Sequence, residues 1–341
     1  MIGTCIMITD NENRVSRRSF LIAASASLAA SAFPFHAARA TEPVRWKGAA
    51  LGAEGIIELH HTNLVEANYV LQKCQQEIER LEDLFSLYRP HSALSRLNKS
   101  GVLENPDIQF LELLSFAQSF SAQTDGLFDV TIQPLWRLYA DFYERTGNRD
   151  KEPLVADIRR VLKSVGYQNL RLSTRRIEFK VPDMAITLNG IAQGYITDHI
   201  KSILQSAGYK HVLLSLGEVA AIGPKAVDRP WKVGLEAGRG ADSASPLIIS
   251  LDNQAVATSG TYASPFASQN GANHLLNPKT GGWSTIQGSV SVISNSAMWA
   301  DMYSTVLSLM TGKERERLLA SSRQVNAVYY SSRSEGNNWF G

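Results

Sequence analysis

Asp301 stands in the middle of an apolar run, residues 294 to 312. There Ala297, Met298, Ala300, Met302, Val306, Leu307, Leu309 and Met310 would cover most of the circumference of a helix. A helix that is apolar nearly all round is buried. A buried carboxylate is costly unless it is hydrogen-bonded, paired or bound to a metal. Thr305, one turn further on, presents a hydroxyl on the same face. No Lys, Arg or His occurs between 295 and 312, so any partner comes from elsewhere in the chain. An ion held by carboxylate and hydroxyl oxygens would be hard, magnesium or calcium; the alternative is an Asp that caps a neighbouring loop. Ser294 or Asn295 is the expected N-cap and Gly312 the expected end.

Other stretches carry residues suited to a site. Ile186 to Asp198 reads as a strand, a turn with Gly190, and a helix that continues through Leu204. Gly190 and Gly194 permit close approach of backbone or ligand, and free amides at a helix start suit a phosphate. The spacing is neither G-x-G-x-x-G nor a P-loop, so no standard nucleotide fingerprint applies. His274 precedes a tight turn bracketed by Asn277-Pro278 and Gly281-Gly282. Tyr88 lies in Ser86 to Asn98, read as a polar loop rich in Tyr, Arg and Ser. Leu127, Phe128 and Asp129 follow the Asp125-Gly126 turn.

These segments need a scaffold. Helical spacing covers 64–85 and 106–123, and Pro134 suits the first turn of a helix running to about Tyr143. Residues 154–164 read as another helix, and 169–180 as a hairpin turned at Thr174-Arg175. Strands are expected at 56–60, 210–216, 218–223, 231–236, 246–251, 256–262, 288–293 and 324–331, with a helix over 313–321. Glu218, His199 and His211 read as structural. The order of elements predicts an α+β fold of mixed or antiparallel sheets flanked by helices.

The chain has 341 residues, 44% hydrophobic and 19% charged, enough for a sizeable core and a soluble globular class. Its start has a separate logic. Ser16-Arg17-Arg18-Ser19-Phe20-Leu21 is a twin-arginine motif, followed by a short Ala/Ser-rich apolar run and an A-x-A site at Ala38-Arg39-Ala40. That order is an export signal cleaved after Ala40, delivering a folded protein to the periplasm through the machinery for folded proteins. The apolar run is too short for a membrane span. The mature chain then carries 30 basic and 30 acidic residues, which argues against nucleic acid as a partner. Cys74 remains alone, so no internal disulfide is expected and no lipid anchor is indicated.

Taken together the motifs resemble the ApbE family of FAD:protein FMN transferases, over roughly residues 50 to 330. They stand in the family's order: Ser86-x-Tyr88-Arg89-Pro90 with Ser92 to Asn98; Gly126-x-Phe128-Asp129-x-Thr131 with Pro134-Leu135; Asn189-Gly190-Ile191-Ala192-x-Gly194-Tyr195; Leu216-Gly217-Glu218; Thr258-Ser259-Gly260-x-Tyr262; His274-Leu275-Leu276-Asn277-Pro278-x-Thr280-Gly281; and Ala300-Asp301-x-x-Ser304-Thr305.

The resemblance implies two lobes enclosing a flavin nucleotide, within one transferase unit over 41–335. It implies cleavage of FAD with magnesium, FMN moving to a Thr or Ser of a membrane or periplasmic redox protein and AMP being released. Asp301 and Thr305 match metal ligands, and Gly190 a third contact through its carbonyl. Tyr88, Leu127, Phe128, Asp129, Thr187, Gln193 and Leu275 match positions around FAD, with Leu276 in the same pocket. His274 matches the histidine needed for transfer, as base toward the acceptor or as aid to the leaving group. Thr187 stands where the family often has Asp, and Gln193 where it often has Lys or Glu. Leu216-Gly217-Glu218 replaces a Gly-Gly-acid sequence, and Leu51-Gly52-Ala53 replaces Met-Gly-Thr. Two other readings stay open: a magnesium-dependent FAD pyrophosphatase giving FMN and AMP, and an exported flavin carrier without catalysis.

Overall fold

Two strands that are apolar on both faces set the centre of the molecule. In Val212–Leu216 (β7), Leu213 points into one core while Val212, Leu214 and Leu216 point into another. In Val219–Ile222 (β8) the same division separates Val219 and Ala221 from Ala220 and Ile222. Side chains alternate along a strand, so apolar side chains on both faces mean that the sheet is covered on both sides.

The computed structural model describes residues 6–8, 43–60, 63–147, 151–226, 229–235, 246–263, 271–286, 288–332 and 336–340. The remaining strands in chain order are β1 (Ile6–Ile8), β2 (Val44–Ala50), β3 (Ala53–Leu59), β4 (Val102–Glu104), β5 (Leu170–Leu172), β6 (Arg176–Phe179), β9 (Trp231–Leu235), β10 (Leu247–Leu251), β11 (Ala255–Gly260), β12 (Gly288–Ser294), β13 (Ala327–Ser332) and β14 (Gly336–Phe340). The helices are α1 (Leu64–Phe85), α2 (Ala93–Ser100), α3 (Ile108–Gln123), α4 (Gln133–Thr146), α5 (Val155–Val161), α6 (Ala192–Ser206), α7 (Ala297–Leu309) and α8 (Gly312–Ser321).

An eight-stranded antiparallel sheet has the order β14-β13-β12-β11-β8-β7-β3-β2. One face packs on a small sheet, β1-β9-β10, through Trp231, Val233, Leu235, Ile249 and Leu251. The other face carries α6 and α7, with α1 outside α6. A third sheet, β4-β6-β5, lies beside α2 and α3. A separate core gathers Leu135, Tyr139 and Tyr143 of α4, Ile158 of α5, and Ala272 and Leu276 of the loop before β12. This is the expected class, α+β with antiparallel sheets and helices.

Several boundaries follow the sequence closely. Helix α1 covers the expected span, capped by Asn63, whose side chain accepts from Val65 and Glu66. Asp107 caps α3, and Pro134 sits in the first turn of α4. Other expectations need correction. The expected polar loop 86–98 contains α2, capped by Ser92 and ended by Gly101 at φ 74°. Its apolar residues Ala93, Leu94 and Leu97 form too short a stripe to stand out. The central helix α7 is shorter than its apolar run. Ser296, not Ser294 or Asn295, is its N-cap, and Met310 ends it in an extended conformation. Gly312 instead begins α8, with Glu314 accepting from the Thr311 amide at 2.7 Å.

The twin-arginine and cleavage motifs lie outside the described residues. Among the described residues no helix is long and apolar enough to cross a membrane. Cys74 is free and buried, as expected of a packing residue.

Candidate active site

The N-terminus of α7 is held by a residue from the neighbouring helix. Asp198 of α6 accepts from the Ser296 hydroxyl at 2.6 Å and from the Ala297 and Met298 amides at 2.8 and 3.0 Å. A carboxylate on the free amides of a helix start satisfies those donors and complements the helix dipole. Further along, Phe120 packs edge-on against Tyr303 and Trp299. Rotation and depth of α7 are thus set by its neighbours. They turn Asp301 and Thr305 toward a cavity between the main core and the α4–α5 core.

All eleven residues expected at a site line that cavity: Tyr88, Leu127, Phe128, Asp129, Thr187, Gly190, Gln193, His274, Leu275, Asp301 and Thr305. Asp301 is 4% exposed. Its Oδ2 accepts from the Gly194 amide at 3.3 Å. Burial raises its pKa to about 8, against the pull of that hydrogen bond. Gly190 lies against Thr305: a Cβ on Gly190 would stand 3.0 Å from the Thr305 hydroxyl. The Ser259 hydroxyl of β11 lies 2.8 Å from that of Ser304 and 3.5 Å from that of Thr305.

The turn bearing Thr187 and Gly190 is pinned from two sides. The Asn98 side chain accepts from the Ile186 amide at 2.7 Å and donates to the Ile186 carbonyl at 2.8 Å. The Thr187 amide donates to the Val130 carbonyl at 2.8 Å. Gln193 follows in the first turn of α6, its side chain laid on Gly217. Gly217 has φ +97°, which favours glycine, and a Cβ there would fall 2.5 Å from Gln193 Cδ, so the Gln side chain would have to move.

Phe128 is buried against Phe120, ring centroids 5.3 Å apart. For Asp129 the sequence left flavin contact and turn formation open. Its Oδ1 accepts from the Thr131 amide and hydroxyl at 2.8 and 2.7 Å, and its Oδ2 from the Tyr167 amide at 2.8 Å. The side chain therefore builds the turn, and burial still raises its pKa. Tyr88 is 57% exposed at the cavity mouth. Beside it Arg89 pairs with Glu82 and Asp83, and Glu82 accepts from the Leu51 amide. Leu51, another lining residue, occupies a two-residue hairpin turn with positive φ at both Leu51 and Gly52.

His274 sits on a braced loop. Asn273 donates to the Ser284 carbonyl and accepts from the Leu275 amide, and the Tyr139 hydroxyl donates to the Gly281 carbonyl at 2.9 Å. His274 Nδ1 has no hydrogen-bond partner among the described residues. Burial lowers the ring pKa to about 4, so the imidazole is neutral at pH 7.

The sequence reading missed Glu218, taken as structural, and passed over Trp136. Both line the cavity. The available signal for Glu218 was an acid between the apolar strands β7 and β8. Glu218 is 4% exposed, and its Oε2 has no partner among the described residues. Burial pushes its pKa well up, and the neighbouring Asp301 carboxylate pushes it further. Two buried carboxylates with no cationic side chain beside them among the described residues, flanked by hydroxyls, suit a hard divalent ion. Among the described residues no three His, Cys, Asp or Glu side chains converge to hold a metal alone. The Thr305 hydroxyl and the Gly190 backbone would complete the oxygen set.

A profile of the ApbE family matches residues 53–329. The chain is 27% identical over 274 residues to an FAD:protein FMN transferase of Buchnera aphidicola (subspecies Schizaphis graminum), covering 77% of this chain and 76% of that protein. It is 26% identical over 304 residues to one from Vibrio cholerae, covering 86% and 89%. In fold it is similar to the crystal structure of the ApbE protein of Thermotoga maritima, with TM-score 0.75, 27% identity, and 87% and 96% of the two chains covered.

Proposed function

The chain belongs to the ApbE family, and from that membership we propose that it is an FAD:protein FMN transferase whose site is the cavity around Asp301 and His274. The observation that carries the reading is the buried Asp301 carboxylate, without a cationic partner among the described residues, beside Thr305 and Gly190. Asp301, Thr305 and the Gly190 carbonyl would hold magnesium. Bound there, the ion would screen the pyrophosphate oxygens and the charge growing on departing AMP.

The protein's own groups do the rest. The acceptor hydroxyl oxygen bonds to the phosphorus of the FMN half of FAD. The pyrophosphate bond from that phosphorus to the bridging oxygen breaks, and AMP leaves with that oxygen. His274, neutral at pH 7, takes the hydroxyl proton on its imidazole. Of the two roles open to it, burial favours base over acid. The Gly190 turn and the first amides of α6 suit the phosphates. Leu127, Phe128, Leu275 and Tyr88 offer apolar and aromatic surface to the flavin, with Thr187 and Gln193 as neutral polar contacts.

The acceptor is a Thr or Ser of an exported redox protein. Export of the folded enzyme by the twin-arginine route, with cleavage after Ala40, fits Arg17, Arg18 and Ala38-Arg39-Ala40. Cleavage would also remove Ile6–Ile8 and leave the β9 edge, which that strand pairs, open to solvent.

The test mixes protein, FAD and magnesium with an acceptor bearing an exposed Thr or Ser, following AMP and the flavin fluorescence of the acceptor in gels. Labelled acceptor with stoichiometric AMP supports transfer. AMP with unlabelled acceptor means hydrolysis. Bound, uncleaved FAD that ignores magnesium and Asp301→Ala means a carrier.

A further inference from the structure

Glu218 has no role in the reaction as argued so far, yet its surroundings are those of a ligand. It lines the cavity from the turn joining β7 to β8. Its neighbours on both strands are apolar and buried. The Thr258 amide of β11 donates one hydrogen bond to the carboxylate. Oε2 receives none from the described residues, although it is fully enclosed. A buried carboxylate oxygen without a donor costs the desolvation of a charged acceptor. A second buried carboxylate, Asp301, lines the same cavity, near enough for its charge to act on Glu218, and among the described residues it accepts from the Gly194 amide. A shared cation relieves both. The backbone enforces the arrangement. Gly217, at φ +97°, turns the chain in a conformation that side chains rarely adopt, and Gln193 lies over it.

The geometry points to Glu218 as a second carboxylate ligand of the divalent ion that Asp301 and Thr305 hold. The inference rests on the metal reading above and adds a donor from the sheet to those from α7. A cation bound from both sides ties α7 to the β7–β8 turn, which fixes its position relative to His274.

The test uses the full chain with ADP as a stable pyrophosphate ligand and Mn2+ as the probe, free Mn2+ being read by electron paramagnetic resonance. Glu218→Gln keeps an acceptor for the Thr258 amide and preserves volume. It is expected to weaken Mn2+ binding about tenfold or more, in the range seen when groups around a metal are removed. Asp301→Asn is expected to weaken it at least as much. If Asp301→Asn loses Mn2+ and Glu218→Gln does not, the pair shares a proton rather than an ion, and the inference is overturned while the metal reading stands. If neither variant changes binding, the metal reading itself fails. Should Glu218→Gln not fold, Glu218→Asp decides. Its shorter side chain is expected to weaken Mn2+ severalfold, and unchanged binding sinks the inference.

Discussion

The Gly194 amide donates to Asp301 Oδ2 at 3.3 Å, and the same glycine lies against the backbone of Ala297 and Met298. One residue of α6 therefore sets both the approach of α7 and the orientation of the carboxylate that α7 carries into the cavity.

Gly194→Ala tests that closeness. A Cβ would stand 2.5 Å from the Ala297 carbonyl oxygen and 2.6 Å from Met298 Cα. Backbone atoms cannot swing aside, so the helices must separate. The expected cost is about 1–3 kcal/mol, as for overpacked cores, with weaker Mn2+ binding at the displaced Asp301. Urea unfolding and the Mn2+ titration read the two effects, and a variant of wild-type stability and affinity would refute the contact.

Asp301→Asn removes the charge while keeping shape. FAD cleavage is expected to fall by about a hundredfold or more, since a metal ion contributes several kcal/mol of charge stabilisation to such transfers. Stopped assays of AMP release check this. Folding in metal-free buffer should be retained, because the buried charge goes while an acceptor for the Gly194 amide remains.

Asn98→Ala attacks the site from a distance. It strips partners from both backbone groups of Ile186, which is fully buried. An unsatisfied buried group costs about 1–3 kcal/mol. The turn with Thr187 and Gly190 should loosen, so KM for FAD is expected to rise along with the loss of stability. Steady-state kinetics at a temperature well below unfolding would separate the two.

The pH dependence of transfer follows from His274. Its folded pKa, lowered by burial to about 4, lies below the ordinary 6.5. A base with that pKa is available throughout the neutral range. The histidine limb of the kcat/KM profile is therefore expected to drop only as pH falls toward 4; a limb near 6.5 would show a solvated ring or another base. For stability the sign is the same. Between about 4 and 6.5 the unfolded chain binds more protons at this position than the folded one, so this contribution is present above 6.5 and is lost as pH falls through 4. His274→Asn removes that dependence, measurable as flatter thermal stability between pH 4 and 6.5.

Asp198→Ala removes three hydrogen bonds from the start of α7. Loss of a cap typically costs about 0.5–2 kcal/mol, and Ser296 remains as the local N-cap. Stability is expected to fall in that range, with Asp198→Asn intermediate, by chemical denaturation.

Much of this protein was legible in its sequence because the information was local. The apolar run around Asp301, the helical spacing of 64–85 and Pro134 in the first turn of α4 act within a few residues of themselves. Periodicity and turn chemistry therefore located most helices and strands, and ordered motifs brought all eleven candidate residues into one cavity. The helix α2 escaped because three apolar residues in a polar segment carry little periodic signal. The ends of α7 were misplaced because an apolar run records burial, not hydrogen bonding; Ser296 and Asp198 decide where its first turn begins. Other relationships depend on chain segments far apart. Asn98 meets Ile186 across 88 positions, and Gly194 meets Asp301 across 107. Glu218 read as structural because nothing near it in the chain shows what its carboxylate faces. Its place opposite Asp301 comes from the antiparallel pairing of β7, β8 and β11 under α7. Burial and the field of a neighbouring charge are properties of that packing, and they separate a surface acid from a ligand.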